Sequence, residues 1–349
     1  MDSKIKVLVV DDSGLMRLII SDILRSDPGI QVIDTAQDGK EAVEKSLAHN
    51  PDVVLLDMNM GEFDGLYAVK NILSEKKIPI IILSAVGNTD MNPILEALKL
   101  GAIDYLNKPE KNKAKIRDIG DDIILKIKTA VNAKVGNTNN KTEPPKNNTL
   151  SHTFSSHLDY YIIAIGSSTG GPPAIEAIIT KLPENLPIPV VIAQHMPSNF
   201  IQSFADRLDT LTPLKVVVAQ KSQQLKSGHI YLAPGDHNLI VRIDLLGRPV
   251  FDYDDEKKYR DYNNPSVNAL ILSVASTYKN KSIAAILTGM GKDGADGMEA
   301  IKAVGGITIA QSKETCVVYG MPKEVIERDA AKFVLGINDI APFMVSCLS

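Results

Sequence analysis

The chain has 349 residues, a length that predicts about two domains. It is 44% hydrophobic and 23% charged, enough apolar material for two globular cores. A formal net charge of -4 gives no general attraction to nucleic acid, and no run reaches the apolar length of a membrane span.

The N-terminus, "MDSKIKVLVVDD", enters a strand directly and has no basic-apolar-small leader pattern. With only Cys316 and Cys347 in the chain, a reducing, cytoplasmic setting without a disulfide framework is expected. Short apolar runs at 6–10, 31–36, 53–57, 80–84 and 104–106 predict strands, with amphipathic helices between them. The last of these helices is expected over 113–133, with Ile116, Ile119, Ile123, Ile124 and Ile127 on one face. Five strand–helix repeats predict a (βα)5 flavodoxin-like domain over 1–130. Residues 131–157 then turn rich in Asn, Thr, Lys and Pro and read as a linker, because they cannot bury enough surface to offset their ordering entropy. From 158 to 349 the alternation resumes, with strands expected at 161–165, 190–194, 214–218, 229–233 and 284–288. This predicts a second, doubly wound α/β domain with a mostly parallel sheet.

Asp11 and Asp12 follow the first strand and Asp57 ends the third. In a doubly wound sheet those strand ends meet at the topological switch point. Three carboxylates gathered there repel one another unless a hard cation such as Mg²⁺ joins them. Ser84 ends the fourth strand and Lys108 follows the fifth, adding a hydroxyl and an ammonium suited to a phosphoryl group on a carboxylate. Taken singly, each has an ordinary explanation: a helix N-cap, a loop hydroxyl, a surface charge.

The pieces "VLVVDDS", "DVVLLDMNMGEFDGL", "IPIIILSA" and "GAIDYLNKP" resemble response-regulator receiver domains. The resemblance implies Asp57 as the phospho-acceptor. It implies Asp11, Asp12, Asp57 and the Asn59 carbonyl as Mg²⁺ ligands, and Ser84, Tyr105 and Lys108 as switch residues. Gly61 stands where receivers usually carry proline, a departure expected to loosen the loop and bear on phosphorylation lifetime.

In the second domain, "GSSTGG" fits G-x-S-x-G with Ser168 at its centre. Two following glycines allow a sharp turn, and Pro172 and Pro173 suit a first helical turn. The same loop could cradle a phosphate, although it lacks the dinucleotide and P-loop orders. A nucleophilic serine needs a base and an orienting acid. Of six histidines, His195 alone ends a strongly apolar strand, "VVIAQHMP". Asp293 and Asp296 in "AAILTGMGKDGADGM" are the acid candidates; Asp296 reads better as a helix N-cap, and Asp-Gly pairs also form ordinary turns.

"IAIGSSTGGP", "AQHMPSNFIQSFADRL", "YLAPGDHN", "AAILTGMGKDGADGM" and "AQSKETCVVYGMPKEVI" together resemble the CheB family of chemotaxis protein-glutamate methylesterases. The resemblance implies Ser168 as nucleophile, His195 as base and Asp293 as orienting acid, with Thr169 and the Met290 backbone beside the oxyanion. It implies methyl-accepting chemoreceptors as substrates, deamidation of receptor glutamines, and a chemotaxis histidine kinase as phosphodonor. Mg²⁺ is then expected in the receiver and no cofactor for ester hydrolysis, with neither nucleic acid nor membrane insertion involved.

Ser167 replaces a frequent alanine, expected to be a small change. In "YNNPSVNAL", Asn263, Asn264 and Asn268 replace charged residues, which is expected to bear on peptide preference. A phosphorylation-gated binding module with an inactive triad is the alternative. A transcriptional regulator is weaker, because no recognition helix is legible.

Overall fold

Continuous apolar strands, rather than alternating ones, mark parallel sheets covered on both faces. The strands Val53–Asp57, Ile80–Ser84, Val190–Gln194 and Ser282–Ile286 are buried at every position. The computed structural model describes residues 4–85, 90–108, 113–135, 154, 161–254 and 265–348. The chain divides into two units, Met1–Lys141 and Thr142–Ser349.

The first unit runs β1 (Ile5–Val10), α1 (Gly14–Arg25), β2 (Ile30–Ala36), α2 (Gly39–His49), β3 (Val53–Asp57), α3 (Gly65–Glu75), β4 (Ile80–Ser84), α4 (Asn92–Leu100), β5 (Asp104–Asn107) and α5 (Lys113–Ala130). Its parallel sheet has the order β2-β1-β3-β4-β5. The order reverses at β1, so the ends of β1 and β3 flank the switch point. Ser13, Asp38 and Asp64 cap α1, α2 and α3 by accepting from the amides of Met16, Glu41 and Tyr67. The last helix ends at Ala130, three residues before the sequence pattern suggested; among its described side chains Ile123 and Ile127 are fully buried and Ile119 and Ile124 partly so, while the side chain of Ile116 lies outside the described residues.

The second unit runs β6 (Ile162–Ser167), α6 (Gly171–Ile179), β7 (Val190–Gln194), α7 (Ser198–Leu211), β8 (Lys215–Val218), β9 (His229–Leu232), β10 (Leu239–Ile243), β11 (Pro249–Tyr253), α8 (Val267–Tyr278), β12 (Ser282–Ile286), α9 (Ala295–Ala303), β13 (Ile307–Gln311), α10 (Met321–Glu327), β14 (Phe333–Leu335) and α11 (Ile337–Ser346). Seven strands form a parallel sheet ordered β14-β13-β12-β6-β7-β9-β8, and β10 and β11 form a separate antiparallel hairpin. The chain leaves β6 toward β7 on one side and returns through β12 on the other, so the end of β6 lies at the second switch point.

Between α6 and α7, Arg207 Nε donates to Glu176 Oε1 at 2.6 Å, with 7% of the glutamate side chain exposed. Cys316 is buried and Cys347 partly buried, both as free thiols. No helix among the described residues is long and apolar enough to cross a membrane. The expected linker lies almost wholly outside the described residues.

Candidate functional sites

In the first unit, Asp11 (0% exposed) and Asp57 (1% exposed) face each other across the switch point, with Asp12 exposed beside them. One ligand oxygen from each of the three lies within 4.8 Å of the others. Lys108 Nζ sits 2.8 Å from Asp11 Oδ2 and 2.7 Å from Asp57 Oδ2. Both Oδ2 atoms are buried and meet the same Lys108 ammonium. Three carboxylates gathered about one lysine leave negative charge in excess, which suits a hard cation. Asn59 donates its amide to Asp57 Oδ1 at 3.2 Å. Ser84 is buried at the end of β4, Tyr105 is buried on β5 opposite Ile82, and the Lys108 amide donates to the Ser84 carbonyl. Arg17, which the sequence reading passed over, donates to the Asp11 carbonyl at 2.6 Å from one turn into α1. A basic residue that close behind an acid pair was the available signal.

Burial pushes the Asp57 carboxyl above the usual carboxylate range; Lys108 pulls it down and Asp11 pushes it further up. Burial works against the charge on Lys108, but the two carboxylates outweigh it and hold its pKa above that of an ordinary lysine. Because the folded Asp57 holds its proton more tightly than the unfolded one, it costs stability as pH rises above the unfolded value. Asp57→Asn is therefore expected to raise the thermal midpoint of the first unit at pH 7, with the gain vanishing below about pH 4. A pH series of melting curves for both proteins checks this, and an equal gain at all pH values would refute it.

Gly61 also has a conformational reason to be glycine. Its φ is +75°, and a side chain there would meet nothing within 4 Å. Proline, fixed near −65°, cannot adopt that conformation. Gly61→Pro, which restores the usual receiver pattern, is expected to destabilise the first unit by more than about 1 kcal/mol, measured as a lower urea midpoint.

In the second unit, β6 and β7 are adjacent, with Ser167 opposite Gln194, so Ser168 and His195 leave the sheet side by side. His195 Nε2 lies 2.8 Å from Asp293 Oδ2. The Asp293 carboxylate rests on the N-terminus of α8. Its Oδ2 accepts from the Val267 amide at 2.8 Å, and its Oδ1 accepts from the Asn268 amide at 2.8 Å and the Ser266 hydroxyl at 3.4 Å. Unpaired amides and the helix dipole both favour an anion there. An ionised Asp293 makes Nε2 the protonated nitrogen of a neutral imidazole and leaves the lone pair on Nδ1. Serine proteases pair the two nitrogens the other way round. Among the described residues no hydrogen bond joins the Ser168 hydroxyl to the His195 ring, and such links often tighten only around substrate.

Ser168 is 9% exposed, and its amide donates to the Thr288 carbonyl at 3.1 Å, so that amide is already engaged. The loop after β12 closes over the serine: a Cβ on Gly289 would lie 2.8 Å from Ser168 Cβ, and Met290 is the next residue along that loop. Thr169, 4% exposed, completes the turn, and Gly170 takes it round at a φ of +74°. Asp296 is not the N-cap of α9, a position that Gly294 holds; it sits in the first turn and pairs with Arg328 at 2.7 Å.

Two expectations about departures are corrected. Ser167 is not a small change, because its buried hydroxyl donates to Gln194 Oε1 at 2.6 Å. Asn268 is 2% exposed and structural: its Oδ1 accepts from the Gly297 amide and its Nδ2 donates to Asp296 at 3.4 Å. An aspartate at 268 would set two carboxylates together, and the side chain is too buried to select a peptide. Asn263 and Asn264 lie outside the described residues. The sequence reading also missed Asn238, whose Oδ1 accepts from the Ser266 amide at 2.8 Å and so braces the start of α8.

Residues 7–119 match the response regulator receiver domain family, and residues 163–344 match the CheB methylesterase family. A protein-glutamate methylesterase/protein-glutamine glutaminase of Archaeoglobus fulgidus is 38% identical over 98% of both chains. One of the same description from Thermotoga maritima is 40% identical over 96% of both. The crystal structure of the Thermotoga maritima CheB methylesterase catalytic domain is 44% identical, with a TM-score of 0.51, and covers 54% of this chain and 98% of its own. Fold and matches together define a response-regulator receiver joined to a hydrolase domain in one chain. The chain belongs to the CheB methylesterase family.

Proposed function

We propose that this protein is a phosphorylation-regulated protein-glutamate methylesterase and protein-glutamine glutaminase acting in the cytoplasm on methyl-accepting chemoreceptors. The observation that carries the reading is the 2.8 Å His195–Asp293 contact, with Asp293 anchored on the α8 amides and Ser168 on the adjoining strand end. In this reading Ser168 Oγ attacks the side-chain carbonyl of a glutamate methyl ester. His195 Nδ1 takes the serine proton and returns it to the departing methanol. Donors around Thr169 and Met290 hold the tetrahedral oxyanion. Water, activated by the same imidazole, then releases the glutamate and frees Ser168. A glutamine follows the same route with ammonia leaving.

In the receiver, Asp57 accepts a phosphoryl group from a chemotaxis histidine kinase. Asp11, Asp12, Asp57 and the Asn59 carbonyl would hold Mg²⁺, which when bound neutralises charge on the incoming group. Lys108 and Ser84 then meet the phosphoryl oxygens, Tyr105 responds to the new state, and the change governs turnover at Ser168. The corresponding boundaries are 1–130 for the receiver, 131–157 for the linker and 158–349 for the catalytic domain; ester hydrolysis itself uses no cofactor.

The test is methanol release from methylated chemoreceptor membranes by the full chain, with and without Mg²⁺ and a small phosphodonor. Release is expected to need Ser168, shown by its loss in Ser168→Ala, and to rise with phosphodonor only while Asp57 is present. Full turnover by Ser168→Ala would end the esterase reading, and a phosphodonor response persisting in Asp57→Ala would end the regulatory one.

A further inference from the structure

We infer that Gln194 is a positioning residue for hydrolysis, locking the nucleophile-bearing loop to the base-bearing strand; the inference rests on the Ser168 reading above. Gln194 ends β7 and is 1% exposed. Its Nε2 donates to two carbonyls, those of Ser168 and His195, each at 2.9 Å. Its Oε1 accepts from the Ser167 hydroxyl at 2.6 Å. One side-chain amide thus grips the backbone of both reacting residues. Its orientation is fixed, because a flipped amide would set its oxygen against two carbonyls.

Two neighbours exist on this account. Ser167 supplies the donor that an alanine would lack, leaving Oε1 buried without a partner. Gly171 supplies the room, since a Cβ there would lie 1.9 Å from Gln194 Oε1. The second glycine of "TGG" therefore serves the glutamine, whereas the turn itself is made by Gly170 at positive φ. The Ser168 peptide is held on its other side as well, its amide by the Thr288 carbonyl and its carbonyl by the Gly171 amide at 2.8 Å. The displacement that Gln194 restrains is the slide of the β6 loop past the end of β7, where it adds to one ladder bond, the His195 amide donating to the Ser167 carbonyl at 3.0 Å. That coordinate sets the approach of Ser168 Oγ to the imidazole, so its loss falls on kcat and not on KM.

The experiment compares Gln194→Met, Ser167→Ala and their combination in the full chain. It reads kcat and KM on methylated receptor membranes and the rate at which a fluorophosphonate probe labels Ser168. Gln194→Met is expected to slow kcat and labelling about 10²-fold with KM within about twofold, the scale of a small misplacement of reacting groups. Ser167→Ala is expected to cost about fivefold, one modest hydrogen bond, and nothing further once Gln194 is gone. A melting point that falls while kcat and labelling stay within about threefold of the wild type would reduce Gln194 to a packing residue and overturn the inference. Should Gln194→Met not fold, Ser167→Ala decides alone, and an unchanged labelling rate overturns it. A wild type that never labels at Ser168 removes the esterase reading and this inference together; normal wild-type labelling with an indifferent Gln194→Met removes only this one.

Discussion

Asp293→Asn is expected to lower kcat by about 10⁴-fold while leaving KM within about twofold. The carboxylate accepts from the Val267 and Asn268 amides and from His195 Nε2, all at 2.8 Å. An asparagine in the same place has only one oxygen. If that oxygen takes the Oδ1 place and keeps the Asn268 amide, its NH₂ group faces both Nε2 and the Val267 amide, and the ring must put its proton on Nδ1. The nitrogen proposed to take the serine proton is then already protonated. If the oxygen instead keeps Nε2, the NH₂ group is pressed against an α8 amide, which costs a buried donor–donor contact. The first outcome takes the lone pair from Nδ1, and the second removes the negative charge that stabilises the imidazolium; neither touches the substrate's binding groups. Steady-state kinetics on methylated receptor membranes measures it, and a variant within tenfold of the wild type would remove Asp293 from the mechanism.

Arg207→Leu is expected to destabilise the second unit by about 3 kcal/mol, the usual consequence of removing one partner from a buried ion pair. Glu176 points into the contact between α6 and α7, where Arg207 Nε meets it at 2.6 Å. The leucine fills much of the volume but leaves a carboxylate away from water. On a unit of this size the loss corresponds to roughly 6–12 °C in midpoint. The double variant Glu176→Leu/Arg207→Leu is expected to recover most of it, because two apolar groups replace the pair outright. Urea titrations of the two variants give both numbers, and equal instability of single and double variants would contradict the account.

Much of the architecture was legible because both main sheets are parallel. Runs such as "VVLLD", "IIILS" and "VVIAQ" have no polar face to interrupt them, so their ends, where both sites lie, are sharply marked. The hairpin β10–β11 was not read as strands, since its half-exposed residues and its turn at Asp244–Arg248 look like a polar loop. β14 has three residues, too few to carry a period. In the site, a serine set between glycines and a histidine after an apolar strand are visible in the letters. The amides of Val267 and Asn268 are not, because every residue but proline has one and only the start of a helix leaves it unpaired. Gln194 was hidden for a related reason: a glutamine at a strand end belongs to no motif, and its importance comes from what two neighbouring carbonyls require.

The central position of β6 has a consequence for how the protein comes into being on the ribosome. Ser168 follows a strand that pairs on one flank with β7, close behind it, and on the other with β12, where Ile162 meets Ser282. Until β12 has been synthesised, β6 is an open edge, and the loop carrying Gly289 that closes over the serine does not exist. The receiver, whose strands all lie ahead, can finish folding first. Pairings this distant in sequence also make the second unit the slower folder of the two. A nascent or truncated chain ending before β12 therefore carries a finished Asp57 pocket and an uncovered Ser168 loop, so the second site is completed only when nearly the whole polypeptide has been made.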